Sequence, residues 1–144
     1  MKHTWNVALV AVLMLAGAGC SRATSQDSVP AGSIAVSDQM LVRIPENYRH
    51  ESRGTAPVLT DGECLVYLNA QDNKTLGRTW KQTTETRKIG ERSFNLTFYK
   101  DNNNPVRMDA QALENGVRMS LDNPAGFVRC ETEFQQLLTT IAPR

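Results

Sequence analysis

Phe94-Asn95-Leu96-Thr97-Phe98-Tyr99 and, a turn later, Val106-Arg107-Met108-Asp109-Ala110-Gln111-Ala112 alternate apolar with polar residues along most of their length. Successive side chains of a strand point to opposite faces, so each stretch lays Phe, Leu, Met, Val or Ala on one side and polar groups on the other. Asp101-Asn102-Asn103-Asn104-Pro105 lies between them and is turn-forming by composition. Val117, Met119 and Leu121 repeat the alternation after Asn115-Gly116, a pair that accepts the positive φ of a type I′ hairpin turn. The stretch therefore predicts three consecutive antiparallel strands. A short helix from Asp109 to Asn115 is the competing reading of the second.

Working outward, Cys64-Leu65-Val66-Tyr67-Leu68 is short and apolar throughout, as a central strand would be, with Cys64, Val66 and Leu68 on one face. Thr79 to Ile89 is threonine-rich but alternates imperfectly, which suits an edge strand. Ala70 to Leu76 reads as a polar turn, and Asp122 to Gly126 as another. Met40, Val42 and Ile44 suggest a short first strand ending at Pro45, whereas Glu46 to Gly62 has no hydrophobic period and reads as an irregular loop. After Phe127 to Cys130, taken as the last residues of a strand, Thr132-x-x-Gln135 has the form of a capping box. Phe134, Leu137, Leu138 and Ile141 then recur at helical spacing. The expected class is α+β: an antiparallel sheet of about five to six strands with one C-terminal helix packed on it.

At the other end of the chain, Met1-Lys2-His3 is a short basic start, Trp5 to Leu15 is almost unbroken apolar sequence, and Ala16 to Gly19 are small. That is the layout of a secretory signal peptide over residues 1–19. The apolar run is shorter than the roughly 20 residues that a transmembrane helix needs. Residues 39–144 form the expected single periplasmic domain, with residues 20–38, rich in Ser, Ala and Gly, as a flexible tether. Removal of the signal takes the formal charge from +1 to about zero, because Lys2 is the only charge lost. Such neutrality argues against a nucleic-acid partner.

Ala18-Gly19-Cys20 resembles the lipobox of bacterial lipoproteins, in which the cysteine thiol is diacylglycerylated, the chain is cut just before it and the new amine is acylated. Gly17 stands where the family most often has leucine. The resemblance covers only Met1 to about Arg22 and implies a lipid on Cys20, palmitate among its acyl chains, as the one covalent addition, with no other cofactor. Two or three acyl chains hold a protein on a membrane without help from the fold. Ser21, in place of the aspartate that commonly retains such proteins in the inner membrane, implies the outer membrane, facing the periplasm. Ordinary cleavage after Ala18, leaving Cys20 as a thiol, is the alternative.

A lipidated Cys20 leaves Cys64 and Cys130 as a pair, and a disulfide between them would contribute about 4 kcal/mol in the chain-entropy model. Two buried reduced thiols are the alternative. His50 is the only histidine after the signal and lies in a polar segment, so no cysteine–histidine metal set is expected.

No catalytic constellation emerges. His50 has no nucleophile spaced to it, no serine sits in a G-x-S-x-G elbow, and the carboxylate pairs Asp61/Glu63 and Glu131/Glu133 read as strand-edge and helix-start residues. The basic run Arg78, Lys81, Arg87, Lys88 and Arg92 is interrupted by Glu85 and Glu91 and reads first as a solvated strand face. Its functional reading is a contact with anionic glycan, lipopolysaccharide or an acidic partner, made by Trp80, Lys81, Arg87 and Lys88 with the indole as anchor. The sequence thus points to a non-enzymatic lipoprotein that binds another envelope protein, as an accessory of a secretion, conjugation or outer-membrane assembly machine. An inhibitor or exclusion protein that blocks an enzyme or receptor is the second reading, and a small cell-wall hydrolase the third.

Overall fold

A computed structural model describes residues 29–69, 80–122 and 126–144. The expected signal peptide, Cys20, the first part of the tether, the turn at Ala70–Leu76, Arg78 and most of the turn before Gly126 lie outside the described residues.

The fold is α+β, with two antiparallel sheets and one helix among the described residues. In chain order the elements are β1 (Ser33–Ala35), β2 (Met40–Arg43), β3 (Arg49–Arg53), β4 (Ala56–Thr60), β5 (Leu65–Leu68), β6 (Lys81–Ile89), β7 (Arg92–Asp101), β8 (Asn104–Ala112), β9 (Arg118–Asp122), α1 (Phe127–Thr139) and β10 (Ala142–Pro143). The large sheet runs β3-β4-β5-β9-β8-β7-β6, and the small one β1-β2-β10.

Register explains the core. The pairings Leu59↔Val66, Val66↔Leu121, Leu121↔Met108 and Met108↔Phe98 put one row of apolar residues on the same face of five strands. Leu68, Met119, Ala110 and Leu96 form the next row. Helix α1 covers that face with Phe127, Cys130, Phe134, Leu137 and Leu138, and Met40 and Val42 of the small sheet, with Val36 just after β1, close the same core.

The three strands from the deciding stretch are β7, β8 and β9, and β5 lies inside the sheet as expected. β6 is its edge. The first of the two hairpins uses the two-residue turn Asn102-Asn103, with φ of +48° and +68°. This is the positive-φ geometry of a type I′ turn.

The type I′ turn expected at Asn115-Gly116 is not there. Only Gly116 has positive φ, at +68°, and a longer loop closes on Ala112, whose N–H donates to the Val117 carbonyl (2.8 Å) while its own carbonyl accepts from Gly116 N–H (3.0 Å). The hairpin survives the change of turn, and the helical alternative for Asp109–Asn115 does not, because β8 pairs on both sides through Gln111.

Three further expectations are corrected. Residues 46–62 are not an irregular loop but contain the hairpin β3–β4, turning at Gly54 (φ +63°). Strand β3 is Arg-His-Glu-Ser-Arg on the sheet edge, so it has no apolar period to reveal it, yet Val58 and Leu59 of β4 are wholly buried. The tether does not extend to residue 38: Ser33–Ala35 pair with Leu41–Arg43, and Val36 is in the core. Finally, Phe127 to Cys130 are helical, and α1 starts at Phe127, with Gly126 as an N-cap that offers no side-chain hydrogen bond. The Thr132-x-x-Gln135 pattern lies inside the helix, where Gln135 Nε2 donates to Glu131. The apolar stripe begins at Phe127, seven residues before the periodic run beginning at Phe134.

Candidate functional site

Cys64, just before β5, and Cys130, in the first turn of α1, are wholly buried and joined by a disulfide with a Cα–Cα separation of 5.5 Å. The bond ties the helix start to the residue that leads into an inner strand. Above it lies a polar corner that brings together residues far apart in the chain.

Arg129, one residue before Cys130, projects from α1 over the Asp61–Cys64 turn. Its guanidinium donates to Asp61 Oδ2 (2.9 Å), Glu63 Oε2 (2.7 Å) and Glu133 Oε1 (2.7 Å). Tyr48 completes the corner, its hydroxyl donating to Glu133 Oε2 at 2.7 Å. Asp61 Oδ1 accepts from the backbone N–H of Glu63 and of Cys64, so the same carboxyl that meets Arg129 also fixes the turn leading into β5.

The electrostatics follow from these bonds. Burial disfavours the charged form of Asp61, but hydrogen bonds from Cys64 N–H, Arg129 and Glu63 N–H outweigh it and hold the carboxyl below its usual range. Tyr48 is pushed well above the ordinary tyrosine range, first by burial and then by the hydrogen bond and charge of Glu133. Arg129 is held still more firmly protonated by its bonds to Asp61 and Glu133.

Donor atoms of Asp61, Cys64 and Glu133 lie within 4.8 Å of one another. The sulfur is bonded to Cys130, so it offers no thiolate, and both carboxylates are engaged by Arg129. A carboxylate held below its usual range is also poorly suited to donate a proton as a general acid. The corner is an ion-pair lock over the disulfide. Sequence reading separated Asp61 and Glu63 from Glu133, and gave Arg129 and Tyr48 no role; the one available signal was Glu133 four residues after Arg129, the spacing of a helical ion pair.

The second region is the margin of the large sheet at β6. Every residue of this strand except Ile89 is exposed. Lys81, Thr83, Glu85 and Arg87 share the helix-side face, opposite Lys100, Phe98, Leu96 and Phe94 of β7, while Lys88 is on the other face. Arg87 pairs with Glu85 and stands 5.9 Å from the centre of the Phe98 ring. Trp80 packs beside Tyr99, ring centres 6.3 Å apart, on the face where Arg107 stretches over Tyr99 and donates to Asp109 (2.6 Å) and Ser120 (2.9 Å). The four expected contact residues thus share one sheet margin but are divided between its faces. A groove of about 360 Å³ opens between this margin and the helix start, lined by Thr83, Glu85, Phe98, Pro105, Phe127 and Glu131.

His50 is an exposed residue of β3, opposite Leu59, and no polar contact of the disulfide corner involves it. Among the described residues, no helix is long and apolar enough to cross a membrane. No protein-family model, no curated protein and no solved structure matches this chain.

Proposed function

We propose that this protein is a non-enzymatic lipoprotein of the outer membrane, anchored through Cys20, facing the periplasm and binding another envelope protein as an accessory of a larger assembly. The observation that carries the reading is the Cys64–Cys130 disulfide. Structural disulfides persist in oxidising compartments, and using these two cysteines leaves Cys20 as the only one not accounted for, directly after a signal-like segment.

The arrangement of charged groups supports binding over turnover. The carboxylates of the disulfide corner are all committed to one guanidinium, and β6, which begins at Lys81 with Trp80 just before it, is the longer of the two exposed polar edges of the large sheet, β3 being the other. Strands at sheet edges present unpaired backbone groups that a second strand can take up, with side chains selecting the partner.

Fractionation tests the anchor. The protein should partition with outer membranes and take up a fatty-acid probe, and Cys20→Ser should abolish labelling and release it to the periplasm. Unchanged partitioning of the Cys20→Ser variant would rule the anchor out. Co-purification from mild detergent extracts tests the accessory role; recovery of the protein alone under every such condition counts against it.

A further inference from the structure

We infer that the partner strand for β6 is β6 of a second copy, paired antiparallel about a two-fold axis through Thr86 and joining two large sheets into one. The inference rests on the reading of β6 as an interaction edge and is independent of the anchor; a self-paired β6 takes up that edge, so an envelope partner would then have to meet another surface of the dimer.

Three observations lead to it. β6 ends the sheet order, and no described strand pairs with its outer side. It is nine residues long, exposed over eight of them, with three threonines that favour strand geometry. On its inner side it is fixed by nine consecutive pairings to β7, with Thr84 and Thr86 hydrogen-bonded across to Thr97 and Asn95, so its outer edge is preorganised.

The charge pattern then selects the register. Residues directly opposite in an antiparallel pair face the same side, so a symmetric pairing of β6 with itself is centred on a residue. Three registers pair seven or more of its nine residues. Centring on Thr84 sets Lys81 against Arg87, and centring on Glu85 sets that carboxylate against its own copy. Like charges directly opposite destabilise a sheet.

Centring on Thr86 sets Glu85 against Arg87 of the second copy, and Arg87 against its Glu85, on one face. Thr84 meets Lys88, and Thr83 meets Ile89. No like charges oppose. Because Glu85 and Arg87 already pair within one chain, the dimer would hold an alternating square of four charges. Of the two Lys residues that guard this edge against indiscriminate pairing, Lys81 falls outside the paired segment and Lys88 meets a neutral threonine.

Charge reversal with complementation tests the register. The full-length protein in mild detergent should show a monomer–dimer equilibrium by light scattering, and Thr86→Cys should give a covalent dimer on mild oxidation that the parent, which retains Cys20, does not form. Glu85→Arg alone and Arg87→Glu alone should each weaken self-association by about tenfold or more, since both symmetric pairs become repulsive. Mixing the two variants should restore the dimer, because each then meets its opposite charge across the axis, a result that damage to folding cannot produce. A protein monomeric at all accessible concentrations, or a dimer indifferent to both reversals, overturns the inference. If the protein is monomeric yet Glu85→Arg abolishes recovery of an envelope partner, the self-pairing fails while the binding role of β6 stands.

Discussion

Arg129 organises a corner of this molecule that its sequence hints at only through Glu133 four residues on. It gathers Asp61, Glu63 and Glu133 over the disulfide, and Asp61 in turn holds two backbone N–H groups of the turn into β5. The folded-state pKa of Asp61 lies below its unfolded value. Its contribution to stability is therefore fully present above the unfolded pKa, near 4, and is lost as the pH falls through the folded pKa. Asp61→Asn should remove that part of the acid sensitivity, so that urea midpoints of variant and parent converge as the pH is lowered below about 4. Asp122, raised first of all by burial, works in the opposite sense: its contribution favours the fold at low pH and fades as the pH rises through its folded value. A second residue-scale test concerns Asn103, at φ +68°. Alanine there should cost about 1 kcal/mol in the denaturation midpoint, and glycine almost nothing, because only the Cβ opposes the left-handed conformation.

Among the elements, those legible in the sequence are those with an apolar face. The β7–β9 strands and β5 alternate or run apolar because their inner residues meet α1, and the second half of α1 repeats at helical spacing for the same reason. Elements without such a face were not legible. β3 is a polar edge strand held by its partner β4, and the first turns of α1 lack any capping side chain. The apparent capping box at Thr132 misled because residues of the right type occur equally well on the exposed side of a helix. β1, with three half-buried residues, is too short to show a period. Of the candidate site, the disulfide pair and the β6 margin could be found from sequence, while the corner around Arg129 could not, since its members come from a loop, a turn and a helix. The element-scale prediction concerns the helix–sheet contact: Phe134 is wholly buried at the middle of α1. Phe134→Ala should cost about 3–5 kcal/mol in equilibrium unfolding, whereas Val128→Ala, on the exposed side of the same helix, should fall within about 0.5 kcal/mol of the parent.

Over the whole molecule, one covalent link joins the two layers of the core. Cys64 and Cys130 are 66 residues apart, so the closed loop takes in β5 to β9 and the start of α1. Replacing both by serine should lower stability by about 4 kcal/mol, and reductant should bring the parent toward the variant while leaving the variant unchanged. For a domain whose total stability is of order 5–15 kcal/mol, that loss is large, which is why the redox state of the compartment matters to where this protein can work. The proposed anchor and the disulfide are two halves of one assignment of three cysteines, and the intact mass of the protein purified from whole cell envelopes reads both. The expected species is a chain that begins at Cys20, carries acyl groups on that residue, shows no free thiol when denatured, and gains two hydrogens on reduction. A chain without lipid at Cys20, or one whose Cys64 and Cys130 react as free thiols before reduction, would contradict it.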